Sequence, residues 1–251
     1  MREVPEPHAG PGQVRVHVTA ASLNPMDWGL SSRPQLASAF GVSLPSGFGN
    51  DFAGVVDEVG DGVTGFAVGD RVSGGSLGGA FADHVVVDPA KGQLHHTPDA
   101  LDDTSASTLE IAAKTAKVAI DALDLQPGET VLIGGAAGGV GVFAVQLAKL
   151  AGARVIGTSS PGSFDFLRGL GAEPVAYGDG LVDRVRALAP EGIAAAADLF
   201  GTETTHAALD LGVPGERIST IAASSEPDLP SKRVGGSQAA PGTVEQIADL
   251  I

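Results

Sequence analysis

Thr130-Val131-Leu132-Ile133-Gly134-Gly135-Ala136-Ala137-Gly138-Gly139-Val140-Gly141-Val142 is the stretch on which the reading of this chain turns. The first four residues predict a short buried strand, and Gly138 to Leu150, with Val142, Val145 and Ala148 at helical spacing, predicts a helix. Between them lies a glycine turn of the form G-x-x-G-x-x-G through Gly135, Gly138 and Gly141, whereas the strict G-x-G-x-x-G would need glycine at Ala136. Strand, glycine turn and helix in that order form the dinucleotide fingerprint. The glycines make the turn tight, let the backbone approach a pyrophosphate and let the helix pack close to the strand. The helix N-terminus then offers free N–H groups and the positive end of its dipole. In a chain with 36 glycines the motif alone is weak, and its place between a strand and a helix gives it weight.

Downstream the two periods alternate. Arg154–Gly157, Pro174–Tyr177, Ala197–Phe200 and Arg217–Ala222 read as strands. Phe164–Leu170, Leu181–Leu188 and Thr204–Leu211 read as helices, 223–240 as a loop, and Thr243–Ile251 as a further helix. Alternating β and α elements predict a doubly wound parallel sheet, a Rossmann domain. Upstream, Val14–Val18, Gly54–Gly60, Phe66–Val72 and Phe81–Val87 are short β runs punctuated by glycine and proline, and Thr104–Leu123 reads as one helix. The expected division is a β-rich domain over 1–103 and a Rossmann domain over 104–251.

The formal net charge of −15 disfavours nucleic acid and anionic membrane surfaces as partners. With no cysteine, the chain has no disulfide, no thiolate metal site and no Cys nucleophile. No apolar run reaches the roughly 18 residues of a spanning helix, and Met1–Pro7 is not a signal peptide. A cytoplasmic protein is expected. His95-His96 is not a metal pair, because neighbouring side chains on a strand face opposite ways. We expect an exposed strand end there, no metal, and surface charges at Glu110 and Asp121.

The second strand bears on cofactor choice. A carboxylate about 20 residues after the glycines would hold a ribose 2′-hydroxyl. Gly157-Thr158-Ser159-Ser160-Pro161-Gly162 has none, while its hydroxyls can donate to a 2′-phosphate. NADPH is therefore expected, although the nearest base, Arg168, lies in the following helix.

The chain resembles the zinc-independent medium-chain dehydrogenase/reductases of the quinone oxidoreductase type over nearly its whole length. The similarity is carried by Asn24-Pro25-Met26-Asp27, by Gly54-Val55-Val56 with Val59-Gly60, and by Phe66 with Gly69-Asp70-Arg71-Val72. Gly79–Ala82, Lys114-Thr115-Ala116, Gly128–Leu132, Gln146–Lys149 and Leu170-Gly171-Ala172 extend it. Each piece is common, but their order and spacing together are specific. The resemblance implies a GroES-like catalytic domain, a Rossmann domain, an active site in the cleft between, and hydride transfer from NADPH to a quinone or an α,β-unsaturated carbonyl. Zinc-dependent relatives place Cys near Asn24 and a His-Glu pair near Asn50-Asp51, neither of which occurs here.

Residue by residue, the resemblance sets Asn24 on the nicotinamide side of the cleft and Thr115 near the nicotinamide ribose. Gly135, Ala137, Gly138, Gly139, Val140 and Gly141 form the pyrophosphate loop, and Ser159 and Ser160 reach the 2′-phosphate. Tyr177 packs near the adenosine ribose-phosphate, and Phe200, Gly201 and Ala222 line the cofactor from later strand ends. Asp27 reads as structural; Trp28 and Phe48 either flank the cleft or simply pack. No acid–base residue is nominated, because a hydroquinone anion can take its proton from water. Relatives carry an extra N-terminal hairpin and a C-terminal return segment, both expected to be missing here. That leaves open an alternative, an NADPH-binding protein with impaired or no catalysis. A homodimer through an edge strand at 217–222 is also expected.

Overall fold

The computed structural model describes residues 4–222 and 226–250. Met1–Glu3, residues 223–225 of the expected loop and Ile251 of the expected last helix lie outside them. The chain divides into two units, 1–111 with 241–251, and 112–240. The expected boundary lay at 103/104, with 241–251 assigned to the second domain.

In the first unit β1 (Val14–Ser22) is followed by helices α1 (Pro25–Ser32) and α2 (Pro34–Ala39). Then come β2 (Asp51–Val59), β3 (Arg71–Gly75), β4 (His84–Val87), β5 (Leu94–His96) and a short helix α3 (Asp103–Ala106). The strands form an antiparallel sheet in the order β4-β1-β2-β3-β5. The runs expected over 66–72 and 81–87 begin as strands only at Arg71 and His84, because Gly69-Asp70 and 78–83 make turns first. Val14, Val16, Phe52, Val56, Val72 and Val85 fill the core beneath the sheet, as period-2 alternation requires. Burying Phe52 alone contributes about 2–3 kcal/mol.

The sequence reads Thr104–Leu123 as one helix. The structure breaks it into α3, a π-helical turn at Leu109–Ala113, and α4 (Lys114–Asp121), which begins the second unit's helices. The second unit continues with β6 (Thr130–Gly134), α5 (Gly139–Leu150), β7 (Arg154–Ser159), α6 (Phe164–Gly169) and β8 (Glu173–Ala176). After them come α7 (Leu181–Leu188), β9 (Ala195–Asp198), α8 (Glu203–Asp210), β10 (Ile218–Thr220) and β11 (Lys232–Arg233). Its sheet is parallel throughout the described residues, in the order β11-β10-β9-β6-β7-β8. Alternate side chains of β6 separate its two cores. Val131 and Ile133 pack with α4 and α5, and Leu132 packs with α7 and α8. In β9 Ala195, Ala196 and Ala197 are fully buried and small enough for helices to lie close on both faces. The expected edge strand at 217–222 is not an edge: β11, inside the segment read as a loop, covers β10. The last helix, α9 (Thr243–Ala248), packs with the first unit.

Candidate functional site

β6 ends in the glycine turn. Gly135 has φ +66°, a left-handed conformation that disfavours a side chain. Its N–H donates to Thr158 Oγ1 at 3.1 Å and the Ala136 N–H to the Thr158 carbonyl at 3.1 Å, so the turn is tied to β7. Gly141 sits where a Cβ would come within 2.2 Å of the Gly135 carbonyl oxygen and 2.6 Å of Ala136 backbone atoms. Only glycine lets the helix start so close to the strand.

The first i→i−4 bond of α5 runs from the Val142 N–H to the Gly138 carbonyl at 2.9 Å. The N–H groups of Gly139, Val140 and Gly141 therefore have no acceptor in the helical ladder. Above them, a Cβ on Gly139 would meet nothing within 4 Å, and one on Gly138 only the Gly135 oxygen at 3.2 Å. Bare backbone with free donors at a helix N-terminus fits a pyrophosphate.

Apart from Asn24 and Thr115, the other sites read from the sequence lie at the carboxyl ends of strands in the same sheet. Ser159 ends β7 and Ser160 follows it; Tyr177 follows β8, Phe200-Gly201 follow β9, and Ala222 follows β10. β6 lies between β7 and β9, so chain order reverses beside it, and at such a switch point an open α/β sheet binds ligands. A Cβ on Gly135 would meet the Phe200 Cβ at 3.0 Å, which puts the 199–201 turn against the glycine loop. Tyr177 (57% exposed) and Phe200 (81% exposed) offer large bare ring faces. Ser159 is buried, its hydroxyl donating to the Ser160 carbonyl at 3.1 Å, which leaves Ser160 as the exposed hydroxyl. Arg168 pairs with Asp165 at 2.6 Å. Thr115 is buried in α4, where a Cβ on Gly236 would come within 3.0 Å of its Oγ1.

Two residues absent from the sequence reading shape this rim. Arg184 donates to the carbonyls of Ala176, Tyr177, Gly178 and Asp179, and Glu203 accepts the Gly178 N–H at 2.6 Å. Together they fix the turn that carries Tyr177. The sequence signal for Arg184 is its place in the first turns of the helix that follows Gly178-Asp179-Gly180.

The first unit holds a buried polar cluster. β1 and β2 run antiparallel with Ser22 opposite Asp51, so Asn24, two residues past Ser22, meets Asp51. The Asp51 carboxylate is fully buried. It accepts from Asn50 Nδ2 at 2.5 Å, Asn24 Nδ2 at 3.1 Å and the Ile111 backbone N–H, in the π turn, at 3.1 Å. Burial pushes its carboxyl up to about 7, with the nearby Glu110 charge adding to the rise and the hydrogen bonds opposing it. Asp27, also buried, accepts the Asn24 backbone N–H at 2.7 Å, the structural role expected of it. Both asparagines turn N–H donors on the carboxylate at the positions where zinc-dependent relatives carry Cys and His-Glu. Trp28 and Phe48 meet edge to face at 5.7 Å, and Phe48 meets Phe81 at 5.6 Å.

Two expectations fail nearby. His95 is not an exposed strand end, and Glu110 is not a surface charge; both are buried. His95 Nε2 lies 3.3 Å from Glu110 Oε2 and Nδ1 lies 2.8 Å from Glu245 Oε1 on α9. Neutral imidazole has one N–H, so two carboxylate partners call for the imidazolium. Burial works against that charge, and the two glutamates outweigh it and raise the His95 pKa. His96 is exposed, as expected. Among the described residues no group of three or more His, Asp or Glu side chains is arranged to hold a metal ion. No described helix is long and apolar enough to cross a membrane.

Residues 10–99 match the alcohol dehydrogenase GroES-like domain and residues 139–239 match the zinc-binding dehydrogenase domain. The chain is 43% identical over 156 residues to a quinone oxidoreductase of Pseudomonas aeruginosa, covering 61% of this chain and 46% of that one. The crystal structures of a Pseudomonas syringae pv. Tomato quinone oxidoreductase superpose with a TM-score of 0.72 at 31% identity, covering 99% of this chain and 74% of that one. The CurK enoyl reductase superposes with a TM-score of 0.82 at 25% identity, covering 99% and 81%. The chain spans about half the length of the curated dehydrogenase and quinone oxidoreductase relatives it matches, and 4% of a polyketide synthase component from Streptomyces venezuelae.

Proposed function

We propose a reaction for a chain that belongs to the medium-chain dehydrogenase/reductases and, among them, to the zinc-independent quinone oxidoreductase type: reduction of a quinone or an α,β-unsaturated carbonyl by NADPH. The observation that carries the reading is the glycine loop, with three unladdered amides under an open backbone surface and a carboxylate-free turn at the end of the next strand. The printed names of the relatives, a quinone oxidoreductase and an enoyl reductase, set the acceptor class.

When bound, NADPH supplies the hydride. In this reading Gly139, Val140 and Gly141 donate N–H groups to the pyrophosphate, with Gly135, Ala137 and Gly138 shaping the loop. The Ser160 hydroxyl, positioned by Ser159, donates to the 2′-phosphate. Tyr177 and Phe200 lay their rings along the adenosine and the bridge, and Gly201, Ala222 and Thr115 close around the ribose and nicotinamide. Asn24 holds the reacting groups. The residues bind, orient and exclude water, which is the protein's usual share when a cofactor carries the chemistry. The hydroquinone anion takes its proton from water, so no side chain is assigned as the acid. We place the protein in the cytoplasm as a homodimer acting on small molecules. A sheet-edge dimer would pair through Lys232–Arg233, and size exclusion tests it.

The test is NADPH and NADH oxidation by the purified protein with a panel of quinones and enones. Turnover with NADPH preferred is the expected result. Tight NADPH binding with no turnover on any acceptor would overturn the enzymatic reading and leave a nucleotide-binding protein.

A further inference from the structure

Asn24 stands immediately before α1, where an asparagine side chain ordinarily caps the helix. Here it does not: the Asp27 N–H goes to the Asn24 backbone carbonyl at 3.0 Å, and the side-chain amide is turned away to Asp51. The backbone at Asn24 is fixed independently by the Asp27 carboxylate, so the amide keeps one soft degree of freedom, which end points inward. Asp51 decides it. Once ionised, above about pH 7, it only accepts, and its oxygens already receive a backbone N–H from Ile111, a side-chain N–H from Asn50 and the Ser22 hydroxyl. Only the N–H₂ end of Asn24 satisfies it. Among the described residues nothing donates to the Asn24 Oδ1, and the residue keeps a 6% exposed edge.

We propose that Asp51 is a positioning residue, whose carboxylate holds the Asn24 amide with N–H₂ inward so that Asn24 presents its carbonyl oxygen as an acceptor to the reacting groups. Such an acceptor recognises an N–H or O–H donor, such as a carboxamide N–H₂. Asp51 itself is sealed from solvent and does not meet the reactants. The same carboxylate ties down the π turn through Ile111, so Asn24 and that turn are set by one group. The proposal rests on the function above only in assigning Asn24 to the reactants.

The experiment compares two substitutions at Asp51, assayed at pH 8. Asp51→Leu removes both acceptor oxygens, so the Asn24 amide loses the partner that orients it. NADPH Kd, read by fluorescence on the second unit's site, is expected to stay within twofold, while kcat falls roughly tenfold to a hundredfold. Asp51→Asn keeps an amide oxygen at the Oδ2 position, where the Ile111 N–H and Asn24 Nδ2 both donate, and turns its N–H₂ towards Asn50, so it retains most of kcat. Activity of Asp51→Leu within twofold of the parent, or a folded Asp51→Asn as impaired as Asp51→Leu, overturns the proposal. Should Asp51→Leu fail to fold, side-chain amide exchange in the unaltered protein decides. A protected Asn24 N–H₂ proton is expected, and rapid exchange of both overturns it. That readout also stands if the protein reduces no acceptor, so failure of the reaction and failure of the positioning role are distinguishable.

Discussion

The glycine loop of the second unit and the Asp51 cluster of the first are both polar sites, and they are built from opposite materials. The loop presents backbone amides and carries almost no side chain. The cluster is built on buried side chains, Asn24, Asp27, Asn50 and Asp51, satisfied by one another and by the backbone N–H groups of Asn24 and Ile111. A backbone site depends on space, so adding a methyl group in the wrong place destroys it. A buried side-chain site depends on donor and acceptor count and on protonation, so an isosteric change or a shift in pH disturbs it.

The largest effects should come from the loop, and two of its glycines separate folding from binding. A Cβ at Gly141 would strike backbone atoms of Gly135 and Ala136 that cannot move aside cheaply. Gly141→Val is expected to cost about 1–3 kcal/mol or more of stability and to abolish NADPH binding. Gly138 has an extended backbone (φ −82°, ψ 171°), and its added Cβ would meet a single atom at 3.2 Å. Gly138→Val should therefore keep its melting temperature within a few degrees. It should lose NADPH affinity by roughly a hundredfold or more, about 2.8 kcal/mol. Calorimetry and fluorescence titration on both variants check this. Equal affinity of Gly138→Val and the parent would show that the loop does not hold the nucleotide.

The cluster should answer to pH instead. His95 has a raised pKa in the folded chain, so its contribution to stability is complete below 6.5, its ordinary value, and is lost as the pH rises through the folded value. The Asp51 carboxyl, ordinarily at 3.8, is held up to about 7, so folding retains a proton between those values and that advantage also fades as the pH rises through 7. Both run the same way. The first unit should lose stability on going from pH 6 to pH 8. His95→Gln removes the His95 share, about 1.5–3 kcal/mol for hydrogen bonds to charged groups. Melting curves at the two pH values, parent against variant, measure it. A parent curve as flat as that of His95→Gln would mean that His95 is not charged between Glu110 and Glu245.

The same contrast explains what could be read in advance. The loop is contiguous from Gly135 to Gly141, and its strand and helix announce themselves by period, so seven residues carry their own context. The cluster draws on residues 22–27, 50–51, 95, 110–111 and 245, which only the β1/β2 register and the packing of α9 bring together. On one uninterrupted helix Glu110 is expected at the surface. The helix is interrupted instead by the π turn at Leu109–Ala113, which bonds i to i+5, and Glu110 within it is buried. His95 and His96 do face opposite ways, but alternation alone does not say which of the two faces the interior. β11 is two residues long in a Ser-, Pro- and Gly-rich stretch, too short for any period to reveal.

The smallest effect tests whether side chains matter at the backbone site at all. Tyr177 is exposed, and its turn is held by Arg184 and Glu203 through backbone groups, not through the ring. Removing the ring should leave the turn in place. Tyr177→Ala is therefore expected to weaken NADPH by about 0.5–1.5 kcal/mol of aromatic contact, roughly two- to tenfold in Kd, with the melting temperature unchanged. Arg184→Ala acts on the same turn by a different route: it frees four carbonyls and lets the backbone at 176–179 relax. If the rim binds through a ring on a rigid turn, Tyr177→Ala and Arg184→Ala weaken NADPH to similar degrees and the double variant is no weaker than the worse of the two. Fully additive losses would mean that Arg184 meets the nucleotide itself, and the rim would then be a side-chain site like the cluster in the first unit.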